Sequence, residues 1–204
     1  MQFNFQIIMQ YVDICGVSEK ELHDNLEIEL HELADAKELT YGELCNRLRE
    51  YYDGYHFTYN SIGIYNPFSL LNTFKYREFG SYWFETGTPT YLVELLKKHH
   101  YDLERMAHEE TSAAVLNSID STSDNPIPVI YQSGYLTIKG YDEEFGIYSL
   151  GFPNREVEEG FIKFLLPFYA NTRNKTAGIF CLGCLFAILE KYQMVAISFP
   201  CAIT

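Results

Sequence analysis

The sequence contains no Gly-Lys-Ser or Gly-Lys-Thr string, no Gly-x-Ser-x-Gly elbow and no Gly-x-Gly-x-x-Gly turn. A phosphate-binding loop needs the first, because backbone N–H groups and the lysine must converge on the phosphates. The other two open hydrolase and dinucleotide sites, so those readings have no starting point. Basic residues are scarce, with 15 Lys and Arg against 28 Asp and Glu and a net charge of -13. The average field therefore repels phosphate backbones and anionic lipid, which disfavours direct nucleic-acid binding.

Cysteine is sparse as well: Cys15, Cys45, Cys181, Cys184 and Cys201 are odd in number and scattered. No basic n-region precedes Met1-Gln2-Phe3-Asn4-Phe5, and the two features together point to reduced thiols in a cytosolic compartment. Long apolar runs are limited to residues 177–189, thirteen residues ended by Glu190 and Lys191. That falls short of the roughly 20 needed to cross a bilayer, so a buried helix or a partner-facing surface explains it better.

Aromatic residues are abundant. They make up 16% of the chain, 17 Tyr, 15 Phe and one Trp, and hydrophobic residues reach 47%. This is the profile of a folded protein with room for one domain or two small ones. Tyrosine rings, apolar in body and polar at the tip, suit half-buried surfaces where elements or domains meet.

Local signals predict the elements in order. Ser18-x-x-Glu21 and Thr40-x-x-Glu43 are capping boxes, each opening a helix. The first carries Leu22, Leu26, Leu30 and Leu33 as one stripe, and the second turns Leu44, Leu48 and Tyr51/Tyr52 inward. Gly54 breaks the period, and Tyr55–Tyr59 alternates as a half-buried strand does, turning at Asn60-Ser61 into Ile62–Tyr65. Asn66-Pro67 starts a helix to about Phe79 that buries Phe68, Leu71 and Phe74. Thr88-Pro89 repeats that start ahead of Leu92, Leu95 and Leu96. A short helix near Leu103–Met106 and a loop at Ser121–Pro126 follow. Gly134–Ile138 and Gly146–Leu150 read as two strands joined by an acidic turn, Asp142-Glu143-Glu144. Asn154 then caps a helix with Val157, Phe161, Phe164, Leu165 and Phe168 inside.

Candidate chemistry is thin. His23, Glu27 and His31 share a helical face, but the end residues lie roughly 12 Å apart by helix rise, and a solvated face opposite the leucines explains them better. Cys181-Leu-Gly-Cys184 has the spacing of a zinc knuckle or redox pair without a second pair, and it sits inside an apolar run. Asp53, Glu85 and the trio Glu156, Glu158 and Glu159 supply carboxylates, yet no partner base or nucleophile defines an acid–base pair. Complementarity to the helix dipole suffices for the trio.

Three strings are distinctive in their order: Tyr51-Tyr-Asp-Gly-Tyr-His-Phe57, Tyr65-Asn-Pro-Phe-Ser-Leu-Leu71 and Tyr82-Trp-Phe-Glu-Thr-Gly-Thr-Pro89. Together they resemble the predicted AAA-ATPase family found in many bacteria, in the region following its nucleotide-binding core. The likeness extends through Tyr11–Leu22, Tyr131–Lys139 and Phe152–Val157, covering about residues 11 to 170. It implies an α+β, mainly helical fold: a helical lid-like bundle with a small hairpin over residues 11–120, then a winged-helix-like module over 126–170. Residues 171–204 read as a divergent or truncated tail.

In that family a P-loop core precedes this region and a restriction-endonuclease-like nuclease domain commonly follows it. The resemblance therefore implies a non-catalytic lid and linker, with ATP and Mg bound by a core outside these residues. The implied partners are that core and the effector, and Asp53, Tyr55, Trp83, Glu85 and Thr88 are the candidate lid or interface positions. A second reading has the winged-helix-like half contact protein or DNA, with acidity favouring protein. A third makes His23, Glu27 and His31 the metal site of an autonomous enzyme.

Overall fold

Two reciprocal caps organise the N-terminal half. In the computed structural model, which describes residues 16–85, 92, 94–96, 108–118 and 125–170, in side-chain detail to residues 84 and 164 of the first and last stretches, Ser18 Oγ accepts from Glu21 N and Glu21 Oε2 accepts from Ser18 N at 2.9 Å. Thr40 and Glu43 repeat this arrangement, with Thr40 N donating to Glu43 Oε2 at 2.9 Å. Helices α1 (Glu19–Asn25), α2 (Glu27–Ala36) and α3 (Tyr41–Tyr52) follow. The single helix predicted after Ser18 is divided at Leu26, whose φ of -126° leaves the helical region. Backbone bonds run into and out of Leu26, so the leucine stripe survives and Leu22, Leu30 and Leu33 are buried.

The strands predicted at 55–59 and 62–65 are reduced to single antiparallel bridges, Tyr55 with Ile64 and Val17 with Tyr65. Thr58 and Ser61 consume the intervening backbone groups locally: Ser61 N donates to Thr58 O and Ser61 Oγ donates back to the same carbonyl. Such side-chain-to-backbone bonds compete with a ladder. The turn at Asn60-Ser61 is present.

Helix α4 (Pro67–Tyr76) starts as expected, with Asn66 Oδ1 accepting from Phe68 N at 3.0 Å and Ser69 N at 3.4 Å. It ends three residues early, at the left-handed Arg77. Its buried face is also not the predicted one. Phe68 and Leu71 are 47% and 55% exposed, Phe74 is half-buried, and Ser69, Leu70 and Thr73 point inward. Both hydroxyls have internal partners, Ser69 on Glu156 and Thr73 on the Tyr52 hydroxyl, each at 2.7 Å. Satisfied hydroxyls are compatible with burial, and here they outrank the larger apolar residues.

The chain continues through α5 (Tyr82–Glu85), β1 (Glu109–Ser112), α6 (Ala113–Leu116), α7 (Ile127–Gln132), β2 (Thr137–Asp142), β3 (Ile147–Gly151) and α8 (Arg155–Ala170). The fold is α+β, with a three-stranded antiparallel sheet in the order β1-β3-β2. Glu109 pairs with Leu150 and Thr137 with Gly151, and the β2 register shifts between Ile138 and Gly140. The acidic hairpin turn forms as predicted: Asp142 Oδ1 accepts from Glu144 N and Phe145 N, and Gly146 takes a φ of +66°. The sheet thus draws on residues from both sides of the stretch 121–126, of which 125 and 126 are described.

Two apolar clusters result. One gathers Leu22, Leu30, Leu33, Leu44, Leu48 and Leu70 between α1 and α4. The other gathers Leu92, Leu96, Ile130, Ile138, Leu150 and Phe161 around the sheet and α8. The predictions for Leu103–Met106, the 177–189 run with Cys181 and Cys184, and the tail lie outside the described residues. Thr40→Ala removes the cap of α3 and is expected to cost about 1 kcal/mol in urea unfolding, while Thr40→Ser costs little, since its hydroxyl can take the same bond.

Candidate functional site

The first turn of α8 is where the two clusters meet. Asn154 caps it, accepting from Val157 N at 3.1 Å, as its position before an apolar stripe predicts. The carboxylates of that turn depart from expectation. Glu156 is completely buried and Glu159 nearly so, so neither simply complements a helix dipole from the solvent. Glu159 pairs with Arg155, and Arg155 reaches across to Glu50 of α3 at 3.0 Å and lies over the Tyr51 ring.

Glu156 Oε1 accepts from Ser69 Oγ and from Trp83 N, both at 2.7 Å. A buried ionised carboxylate is costly unless donors replace its water. Here a hydroxyl from α4, a backbone N–H from α5 and the positive end of α8 face it together. One carboxylate therefore joins three helices.

One turn further along α8 stands Gly160. A Cβ there would lie 2.5 Å from Phe84 Cγ, so only glycine admits this ring so close to the helix. Phe84 meets Phe161, Phe164 and Tyr135 edge-on. Positions 156 and 160 share a face, so α5 lies on α8 by one polar and one apolar contact in succession. The Trp83 indole packs beside Gly134 and Tyr135.

A second set of contacts lies at the end of α3. Asp53 leaves the helix in extended geometry, and its Oδ1 accepts from Gly54 N at 2.7 Å. Gly54 has a φ of +103°, and a Cβ there would come 2.3 Å from the Pro153 carbonyl oxygen. The same carbonyl accepts from Lys139 Nζ at 3.1 Å. Thr137 Oγ1 both accepts from His56 N, at 2.7 Å, and donates to His56 O, at 3.1 Å. The Tyr51–Phe57 string thus docks the helical half on β2 and the β3–α8 corner.

Burial dominates the titration of this corner. It raises the Asp53 pKa, against the Gly54 N–H bond that favours the carboxylate. It lowers that of Lys139, a residue exposed as a whole, against the opposing pull of Asp53 and Glu158. The Tyr55 hydroxyl is buried without a partner in hydrogen-bond geometry, and burial followed by the Glu156 charge drives its pKa far up, Asn66 opposing. Tyr52 is pushed up to about 12, by burial first, although Thr73 and Gly80 hydrogen-bond its oxygen.

Of the candidate positions, Tyr55 and Trp83 both lie beside Gly134, and Asp53 stands at the Gly54 contact with Pro153. Glu85 ends α5, described in its backbone only, and Thr88 lies outside the described residues. His23, Glu27 and His31 do not converge: His23 Nδ1 is 2.7 Å from Tyr41 Oη, its Nε2 is 3.2 Å from Glu19, and the His31 ring packs on Tyr41. Among the described residues, no group of three or more His, Cys, Asp or Glu is placed to hold a metal ion, and no helix is long and apolar enough to cross a membrane. Sequence reasoning missed Ser69, Glu156 and Gly160. The available signal was the arc Glu156, Val157, Gly160, Phe161, in which a charge and a glycine fall on the buried stripe.

Gly160→Ala should destabilise the protein by about 1–3 kcal/mol in urea unfolding, because Phe84 must move to admit the methyl. Asp53→Asn keeps the Oδ1 acceptor and removes a charge that folding desolvates. Both forms of the protein are uncharged at this position below the ordinary carboxylate range, so the variant should gain nothing near pH 3. Its advantage should appear as pH rises through that range and persist at neutral pH, read from denaturation midpoints.

No family model and no solved structure matches the chain. A stretch of 160 residues, 77% of the chain, is 34% identical to the uncharacterised protein in the vnfD 5′ region of Azotobacter chroococcum mcd 1. The chain spans about 28% of the length of that relative.

Proposed function

We propose that these residues are a lid-and-linker segment of an AAA-ATPase-like protein, coupling ATP binding in an N-terminal core to a C-terminal effector of nuclease type. The observation that carries the reading is the Glu156 joint, a buried carboxylate tying the helical half to the helix that leaves the sheet. The absence of a phosphate-binding string and the much greater length of the Azotobacter relative support placing the ATP site elsewhere in such a protein. In this proposal Asp53, Tyr55 and Trp83 serve the joint inside the segment, and ATP with Mg belongs to the core. The setting is cytoplasmic.

The strand order β1-β3-β2, with α6 and α7 between β1 and β2, supports a winged-helix-like module whose wing is the β2–β3 hairpin. That module carries the second reading, a binding surface. The hairpin tip bears Asp142, Glu143 and Glu144 beside Phe145, which is 70% exposed. Carboxylates at the tip repel phosphate, so the surface favours protein over DNA.

Isothermal titration of the chain with Mg-ATP should release no binding heat at micromolar concentrations; saturable micromolar binding defeats the assignment of the nucleotide site to another part of the protein. Gel-shift assays should likewise show no DNA complex. A shift that weakens steeply with salt would reverse the preference for protein, since phosphate contacts release counterions.

A further inference from the structure

The chain crosses from one apolar cluster to the other over a very short stretch. Gly80 belongs to the helical half, its N–H and carbonyl both bonded to the Tyr52 hydroxyl at 3.0 and 3.1 Å. Trp83, three residues on, has its amide on Glu156 and its ring against Tyr135. Ser81 and Tyr82 therefore span the seam, and Gly54, with its positive φ, lies against Pro153 on the other crossing.

The contacts across this seam are mostly polar: Ser69 with Glu156, His56 with Thr137, and Glu50 with Arg155. Rings add to them: Tyr59 against Tyr141, both partly exposed, Tyr51 under the Arg155 guanidinium, Tyr76 stacked on Tyr82 at the crossing, and Tyr55 beside Gly134. Each side holds a buried cluster of its own. Units joined by a polar interface and holding separate cores move relative to one another more readily than units sharing one core.

We infer that the seam is a built-in hinge latched by Glu156: with Ser69 on the carboxylate, α4 moves with α5 and α8, and with that bond broken the helical half swings about Ser81–Tyr82 and Gly54 while both units stay folded. The proposal rests on the coupling reading only for its use. The hinge itself follows from where the cores and polar contacts lie.

The test is hydrogen exchange on the full chain, with the emission of Trp83, the single tryptophan, as an independent reporter. Ser69→Ala removes the α4 donor, together with the 3.2 Å bond that Ser69 Oγ accepts from Trp83 N, and leaves the Trp83 amide on Glu156 at 2.7 Å; Thr137→Val removes the other main seam contact. Because Thr137 accepts from the His56 amide and Ser69 from the Trp83 amide, the hinge is read at the crossed position: Ser69→Ala should speed exchange of the His56 amide, and Thr137→Val that of the Trp83 amide, by about tenfold or more, the worth of one lost bond to a buried partner. Amides inside α3 and β3 should stay within about twofold of the parent, because local opening leaves each core protected. Trp83 emission should shift to longer wavelength in Ser69→Ala. Equal acceleration in α3 and β3 would show one cooperative body and overturn the hinge, as would unchanged exchange at His56 in folded Ser69→Ala and at Trp83 in folded Thr137→Val. An open seam with ATP binding by the chain alone would instead sink the functional reading and leave the hinge standing.

Discussion

The Glu156 carboxylate constrains the structure more than any other single group. Its complete burial, next to the start of α8, requires donors in fixed places, and few directions are free to supply them. Ser69 must turn inward to donate, which rotates α4 so that Leu70 and Thr73 follow it into the interior and Phe68 and Leu71 are left outside. The Trp83 amide must also reach the same oxygen, and this brings α5 down on α8 so closely that position 160 cannot carry a side chain. The orientation of three helices is thus tied to the hydrogen-bonding requirement of one buried charge.

Tyrosine does related work elsewhere in the helical half. Tyr52 places its ring on Phe79 and its oxygen on Gly80, so one side chain fills the core and fixes the chain just before the seam. Tyr65 is buried too, and its hydroxyl donates at 2.5 Å to Glu19, which also accepts from Arg49. A phenylalanine would fill the same volumes and deprive Gly80 and Glu19 Oε2 of the hydroxyl each bonds. The high tyrosine content is therefore used as the composition suggests, where apolar packing has to end on something polar.

What was legible in the sequence was local. The caps at Ser18, Thr40, Asn66 and Asn154 and the turn at Asp142 all form, because each depends on residues two or three positions away. The inward leucines of α2 and α3 were equally plain, since no polar residue competes for their face. The failures come from partners far off in the chain. Ser69 and Glu156 are 87 residues apart, and neither announces the other. The strand reading of Tyr55–Tyr59 failed because Thr58 and Ser61 bond within their own loop and Thr137 takes the His56 backbone. Of the junction, the Tyr51–Phe57 and Tyr82–Thr88 strings marked Asp53, Tyr55 and Trp83, whereas Glu156 was hidden among first-turn carboxylates that a dipole argument fully accounts for.

Why a carboxylate should occupy the seam can be argued from the alternatives. Replacing a buried charge by an apolar residue of similar size is often neutral or stabilising. Such a residue grips whatever it touches and does not specify which residue of α4 lies opposite. The Oε1 oxygen of a carboxylate is satisfied here only where the Ser69 hydroxyl and the Trp83 amide coincide, within hydrogen-bond distance and direction. It therefore fixes the register of α4 against α8 through the Ser69 bond, while the Trp83 bond holds α5 on α8. Strong discrimination of one register combined with modest total adhesion is what a coupling joint requires. A continuous apolar seam at the same place would hold the halves more firmly and distinguish their relative positions less.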